Sequence, residues 1–140
     1  MNVYFETSAF FKLIVDESES AEALELWDVA HRVTGSRVTY AEARAALASA
    51  ARGGRVTPAE MKWVRSRLET RWDQFEIVEL DDEISRAAGD LAETHALRGF
   101  DSVHLASAVA LADETLILAT WDADLRTAAL DAGLLVAPAS

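Results

Sequence analysis

The sequence predicts an α/β fold: one domain over residues 1–140, with a central parallel sheet of about four or five short strands flanked by about seven helices. Three observations carry this. Short apolar runs alternate with stretches of helical period, the pattern of βα units with helices on both sheet faces. A length of 140 residues with 51% hydrophobic content is ample for one core. No repeat, low-complexity tract or Pro/Gly-rich linker marks a second unit.

Each element has a local reason. Val3 to Phe5 reads as a buried strand ending at Glu6, and Thr7 offers an N-cap for a helix to about Val15. A second helix spans roughly 18–31, with Leu24 and Trp27 inward and Glu19, Glu22, Glu25 and Asp28 on a wet face. A short strand near Arg37 and Val38 leads into Thr39-Tyr40-Ala41-Glu42, a capping-box pattern opening a helix that stops at Gly53-Gly54. Thr57-Pro58-Ala59-Glu60 is a second capping box, and its helix buries Met61, Val64, Leu68 and Trp72. Phe75 to Leu80 alternates as a strand, Asp81 caps a helix to about Leu97, and Gly99 ends it. Asp101 opens a nearly all-apolar helix with Asp101, His104 and Ser107 on one stripe. Thr115 to Ala119 is a buried strand, Asp122 starts another helix, and Leu134 to Val136 is the last strand.

Composition narrows the chemistry. Without cysteine, disulfides and thiolate metal sites are excluded, so any metal is held by oxygen or imidazole. The apolar N-terminus lacks a basic region and carries Glu6, unlike a signal peptide. The apolar run at Val103 to Ala112 is shorter than the roughly 20 residues a bilayer requires. A soluble, cytoplasmic protein that does not enter membranes is the expectation. The net charge of −11 opposes nucleic-acid binding at first sight, but the charge is uneven. Residues 31–71 hold nine basic side chains against three acids, a net +6, leaving −17 elsewhere. That segment is either a solvated helical surface or a flank that holds phosphates beside an acidic site.

Four acids fall at the carboxyl edge of the expected sheet, where open α/β sheets gather ligands. Glu6 ends the first strand, Asp122 follows the 115–119 strand, and Glu42 and Asp101 lie in the first turns of their helices. Singly, each has a structural reading as a cap or a solvated strand end. Together they would repel without a cation, and clustered oxygen ligands suit Mg²⁺ or Mn²⁺. Such a site activates water and neutralises charge during attack on a phosphodiester. Asp124, Thr7, Ser8 and Thr120 are candidate supports, and Lys12 and Arg126 candidate phosphate partners. His104 shares the Asp101 stripe, where packing is the commoner role for a histidine. The four tryptophans are candidates for base stacking, though core packing accounts for most. A receiver domain wants an acidic pair after the first strand, and a haloacid-dehalogenase-like phosphatase wants Asp-x-Asp there; neither is present.

These residues carry a family resemblance. Tyr4 to Leu13, with Glu6-Thr7-Ser8-Ala9, is similar to the strand-Asp-Thr-Ser-Ala opening of PIN domains. Thr39 to Glu42 resembles the second acidic motif of that family. Leu97 to Ala106, with its Asp-x-x-His-Leu-Ala run, resembles the third, and Thr120 to Leu125 the fourth. Four motifs in the family's order cover the whole chain, and its length and motif wording resemble VapC-type toxins of toxin–antitoxin pairs. The resemblance implies a Mg²⁺- or Mn²⁺-dependent endoribonuclease acting on RNA, with Glu6, Glu42, Asp101 and Asp122 as catalytic and metal-binding residues. It also implies a VapB-type antitoxin partner and a homodimer. One position departs: the family has aspartate where this chain has Glu6. Its carboxylate sits one methylene further out, and Mg²⁺ wants near-ideal octahedral geometry at about 2.0–2.1 Å. Reduced activity follows as an expectation, and a weakened or inert PIN-fold interaction module is the alternative.

Overall fold

The structure, a computed structural model, describes residues 1–139. The elements run β1 (Asn2–Phe5), α1 (Thr7–Ile14), α2 (Ser20–Val29), β2 (Arg32–Ser36), α3 (Thr39–Arg52) and α4 (Pro58–Trp72). They continue with β3 (Glu76–Val78), α5 (Asp82–His95), α6 (Gly99–Leu111), β4 (Leu116–Ala119), α7 (Ala123–Asp131) and β5 (Leu135–Ala137). The sheet is parallel throughout, in the order β3-β2-β1-β4-β5. The α/β expectation with five strands and seven helices is met.

That order places a topological switch at β1. From β1 the chain builds outward through β2 and β3 on one side, and later through β4 and β5 on the other. The crevice beyond the carboxyl ends of β1 and β4 is where such sheets bind ligands. Glu6 leaves the end of β1, and Thr120 to Asp122 leave the end of β4. Tyr4 pairs with Leu118, Phe5 pairs with Ala119, and the Glu6 N–H donates to the Ala119 carbonyl at 3.1 Å.

Period-two alternation along β1 divides the core between two faces. Val3 and Phe5 pack with Phe10, Ile14, Leu47 and Leu68 of α1, α3 and α4. Tyr4 faces the opposite layer with Leu105, Leu118 and Leu125. Each fully buried Leu or Phe here is worth about 1.5–3 kcal/mol of transfer free energy. Gly35 of β2 is required by close approach, since a Cβ there would lie 2.7 Å from the Phe75 ring.

Several local expectations are corrected. Glu6, not Thr7, caps α1, because its side chain curls back to accept from the Ser8 N–H. Ala23, Leu26 and Trp27 face the core from α2, whereas Leu24 is exposed. The second strand lies at Arg32–Ser36, upstream of Arg37 and Val38. Thr39 does not cap α3: Val38 is the cap residue, and the buried Thr39 hydroxyl is unpaired. That frees the Glu42 side chain from a capping box. Thr57 and Glu60 do form theirs. Ala96, in a left-handed conformation with φ 53°, closes α5, and Gly99 opens α6 with Arg98 as its cap residue. Asp101 is therefore a first-turn residue and not a cap. Asp122 is a cap, accepting from the Leu125 N–H at 2.9 Å. Among the described residues no helix is long and apolar enough to cross a membrane.

Candidate active site

Glu6 stands at the switch point, 5% exposed, with both carboxylate oxygens engaged. Ser8 donates from its N–H and, at 3.2 Å, from its hydroxyl; the Thr120 hydroxyl donates at 3.0 Å. Ser8 Oγ also accepts from the Trp121 N–H at 2.9 Å, and Thr120 Oγ1 from the Asp122 N–H at 3.0 Å. Two of the expected supports thus tie the exits of β1 and β4 together around Glu6. Burial pushes the Glu6 carboxyl above its ordinary range, and the charge of His104 with the Ser8 and Thr120 hydrogen bonds opposes that rise.

Glu42 comes from the first turn of α3. Its Oε1 accepts from the Thr7 hydroxyl at 2.5 Å and pairs with His104 Nε2 at 2.7 Å. Burial raises this carboxyl too, but the His104 hydrogen bond and charge, the Thr7 hydrogen bond and the charge of Arg98 outweigh it and hold it low. His104 is the residue that sequence reasoning undervalued. It is 1% exposed, and its Nδ1 lies 2.8 Å from the Tyr4 hydroxyl, itself fully buried. The two ring nitrogens are both engaged, Nε2 with Glu42 and Nδ1 with Tyr4, so the buried ring leaves no polar atom unpaired. The clue was available in sequence: a histidine one turn beyond Asp101 on a helix otherwise too apolar to tolerate an unpaired ring. Tyr4→Phe strands Nδ1 in the core and is expected to cost about 1–3 kcal/mol. Urea unfolding measures this, and an unchanged midpoint would show that the hydroxyl does not anchor His104.

Asp101 and Asp122 are brought together by a residue the sequence reading missed, Arg98. Its Nε donates to Asp101 Oδ2 at 3.1 Å, and its Nη2 lies 3.8 Å from Asp122 Oδ2. The Arg98 side chain is 84% exposed at the mouth of this rim. The hydrogen bond from Arg98 to Asp101 and the charges of Asp101, Asp122 and Asp124 hold the guanidinium above its ordinary pKa. Glu42, Arg98, Gly99, Phe100, Asp101 and Val103 line a cavity of about 610 Å³.

The remaining candidates separate. Asp124 lies in the first turn of α7 and lines a different cleft with His95 and Thr127. Lys12 is held by Glu17 at 3.2 Å and the Ser18 carbonyl at 2.8 Å, and lies over the Trp121 ring. It is therefore committed locally, which counts against a phosphate role. Arg126 makes no side-chain hydrogen bond or ion pair among the described residues. Within the basic segment, Arg32 and Arg37 pair with Glu76 and Glu79 on β3 and its exit, so part of that charge is spent within the fold.

By donor chemistry the rim fits a hard divalent cation. It offers carboxylate oxygens, and the cation paired with Asp101 and Asp122 is the exposed guanidinium of Arg98. No three Asp, Glu or His side chains among the described residues are yet gathered at ion-holding spacing. The guanidinium occupies part of that electrostatic role.

The PIN-domain family model matches residues 3–130. Ribonuclease VapC49 of Mycobacterium tuberculosis is 47% identical over 137 residues, 98% of this chain and 95% of that protein. The structure of PAE2754 from Pyrobaculum aerophilum superposes with a TM-score of 0.72 at 20% identity, covering 97% of this chain and 83% of that one. VapBC-5 of Mycobacterium tuberculosis, a member of the VapBC family of toxin–antitoxin systems, gives 0.62 at 25% identity, covering 96% and 94%. A family model spanning most of the chain and a relative this similar over nearly its whole length are decisive: the chain belongs to the PIN-domain family, alongside the VapC ribonucleases.

Proposed function

We propose that this protein is a metal-dependent endoribonuclease, the toxin of a VapBC-type toxin–antitoxin pair, acting in the cytoplasm with Mg²⁺ or Mn²⁺. The reading rests on acids of one sheet rim, with Glu42 and Asp101 lining one cavity and Arg98 bridging Asp101 to Asp122, in a chain 47% identical to a protein named a ribonuclease. Glu42, Asp101 and Asp122 would hold the divalent cation, with Glu6 behind them. When bound, that cation offsets phosphate charge and makes water a competent nucleophile.

The residues supply orientation. His104 and Thr7 fix the Glu42 carboxylate and keep it ionised. Ser8 and Thr120 hold Glu6 against the two strand ends. Arg98 exchanges its carboxylate partners for a phosphate of the incoming strand. The partners of this reading are an RNA substrate, a second copy of the chain, and a VapB-type antitoxin that places its own cation among the acids.

Cleavage of RNA is expected to stop with EDTA and return with Mn²⁺ or Mg²⁺. Attack by water with departure of the 3′ oxygen leaves 5′-phosphate and 3′-hydroxyl ends. Products ending in 2′,3′-cyclic phosphate, or cleavage indifferent to chelator, would exclude the metal-dependent mechanism.

A further inference from the structure

We propose that Phe100 is a base-stacking platform that seats one nucleobase of single-stranded RNA beside the scissile phosphate, an inference that rests on the ribonuclease reading. The protein has eleven aromatic residues. Among the described residues ten are accounted for by the fold. Phe5, Phe10, Trp27, Tyr40, Trp72 and Phe75 pair ring against ring, and Tyr4 packs on His104. Phe11 is buried in the core, Trp63 carries Arg67, and Trp121 carries Lys12. Phe100 is the exception. It is 59% exposed, joins no aromatic pair and packs in none of the core clusters.

Its position gives the free ring a use. Phe100 lines the same cavity as Glu42, Asp101 and Arg98. Val29, Leu130 and Leu135 are about as exposed, but they do not line this cavity. About 610 Å³ is enough for a base and its ribose. The two classes of group in the cavity match the two halves of a nucleotide. A planar apolar ring meets the base, and the exposed Arg98 guanidinium two residues earlier meets the phosphate. Gly99 between them leaves the approach open, with nothing within 4 Å of the place a Cβ would take. An apolar peptide side chain would also cover Phe100, but it would bring no anion to compete with Asp101 and Asp122 for the guanidinium.

The test is binding of a labelled single-stranded RNA of randomised sequence by fluorescence anisotropy, with Ca²⁺ replacing Mg²⁺ to limit turnover. Light scattering runs alongside on each protein. Phe100→Ala is expected to weaken binding about five- to hundredfold, the range for losing one stacked base. Phe100→Tyr should bind as the parent does, and Phe100→Leu, apolar but without a π-face, should fall between. Oligomeric state should be the same in all four proteins. Equal affinity for the parent and Phe100→Ala overturns the platform while leaving the ribonuclease reading intact. So does full retention in Phe100→Leu, or a change of oligomeric state in Phe100→Ala, which would make the ring a protein contact. A parent protein that neither binds nor cuts RNA removes the ribonuclease reading and the platform with it.

Discussion

Asp101→Asn and Asp122→Asn are each expected to lower RNA cleavage at least about hundredfold, about 2.7 kcal/mol in the barrier, while shifting the melting temperature by about 4 °C or less. The asymmetry follows from what each side chain does in the fold. Asp122 caps α7 through one oxygen, at 2.9 Å from the Leu125 N–H, and asparagine is an equally good cap. Asp101 gives the fold one contact to Arg98, and that side chain is 84% exposed, so the pair adds at most about 1 kcal/mol. Neither loss threatens the core. On the metal-dependent reading, removing either charge takes from the rim an anionic oxygen that would serve a hard cation. Cleavage rate and thermal unfolding should be measured on the same preparations. Activity that falls only in proportion to stability would reduce both aspartates to structural roles.

The fold and most of the rim were legible because they depend on local patterns. Runs such as Leu116–Ala119 and the capping box at Thr57 report their own environment. Strand ends and helix starts share one edge of a parallel sheet, so four acids at such positions could be assigned to one rim without knowing the strand order. What escaped detection depends on side-chain reach and long-range partners. Glu6 takes the cap of α1 from the strand end one residue before Thr7, a place set by where β1 stops. Thr39 reads as a cap by residue type, yet tertiary packing shifts the helix start by one residue and leaves its hydroxyl buried and unpaired. His104 is separated by 100 residues from Tyr4 and by 62 from Glu42, so its partners exist only after folding. Arg98 has one partner a turn ahead, Asp101, and another, Asp122, from beyond the end of β4, and the second exists only after folding.

Glu6→Asp is expected to raise Mg²⁺-supported cleavage at least about tenfold, about 1.4 kcal/mol, with a smaller gain in Mn²⁺. The backbone at this position is fixed by strand pairing, since the Glu6 N–H is bound to the Ala119 carbonyl at 3.1 Å. A longer side chain on a fixed strand end folds back. Both Glu6 oxygens accept from Ser8 and Thr120, and the residue is 5% exposed. A carboxylate so enclosed presents little to a cation that demands near-octahedral geometry and sheds water reluctantly. Aspartate, a preferred cap, should hold α1 with one oxygen and leave the other nearer the rim. Glu6→Gln separates charge from shape. Because burial raises the Glu6 pKa, its contribution to stability is present when it is protonated and is lost as pH rises through the raised folded value. Measured in EDTA, Glu6→Gln should therefore be more stable than the parent at neutral pH, with the difference closing as pH falls toward the ordinary carboxylate range. Parallel stability curves would show that the buried charge carries no penalty. Equal Mg²⁺ affinity and equal cleavage in the parent and Glu6→Asp would show that the site works with glutamate as it stands.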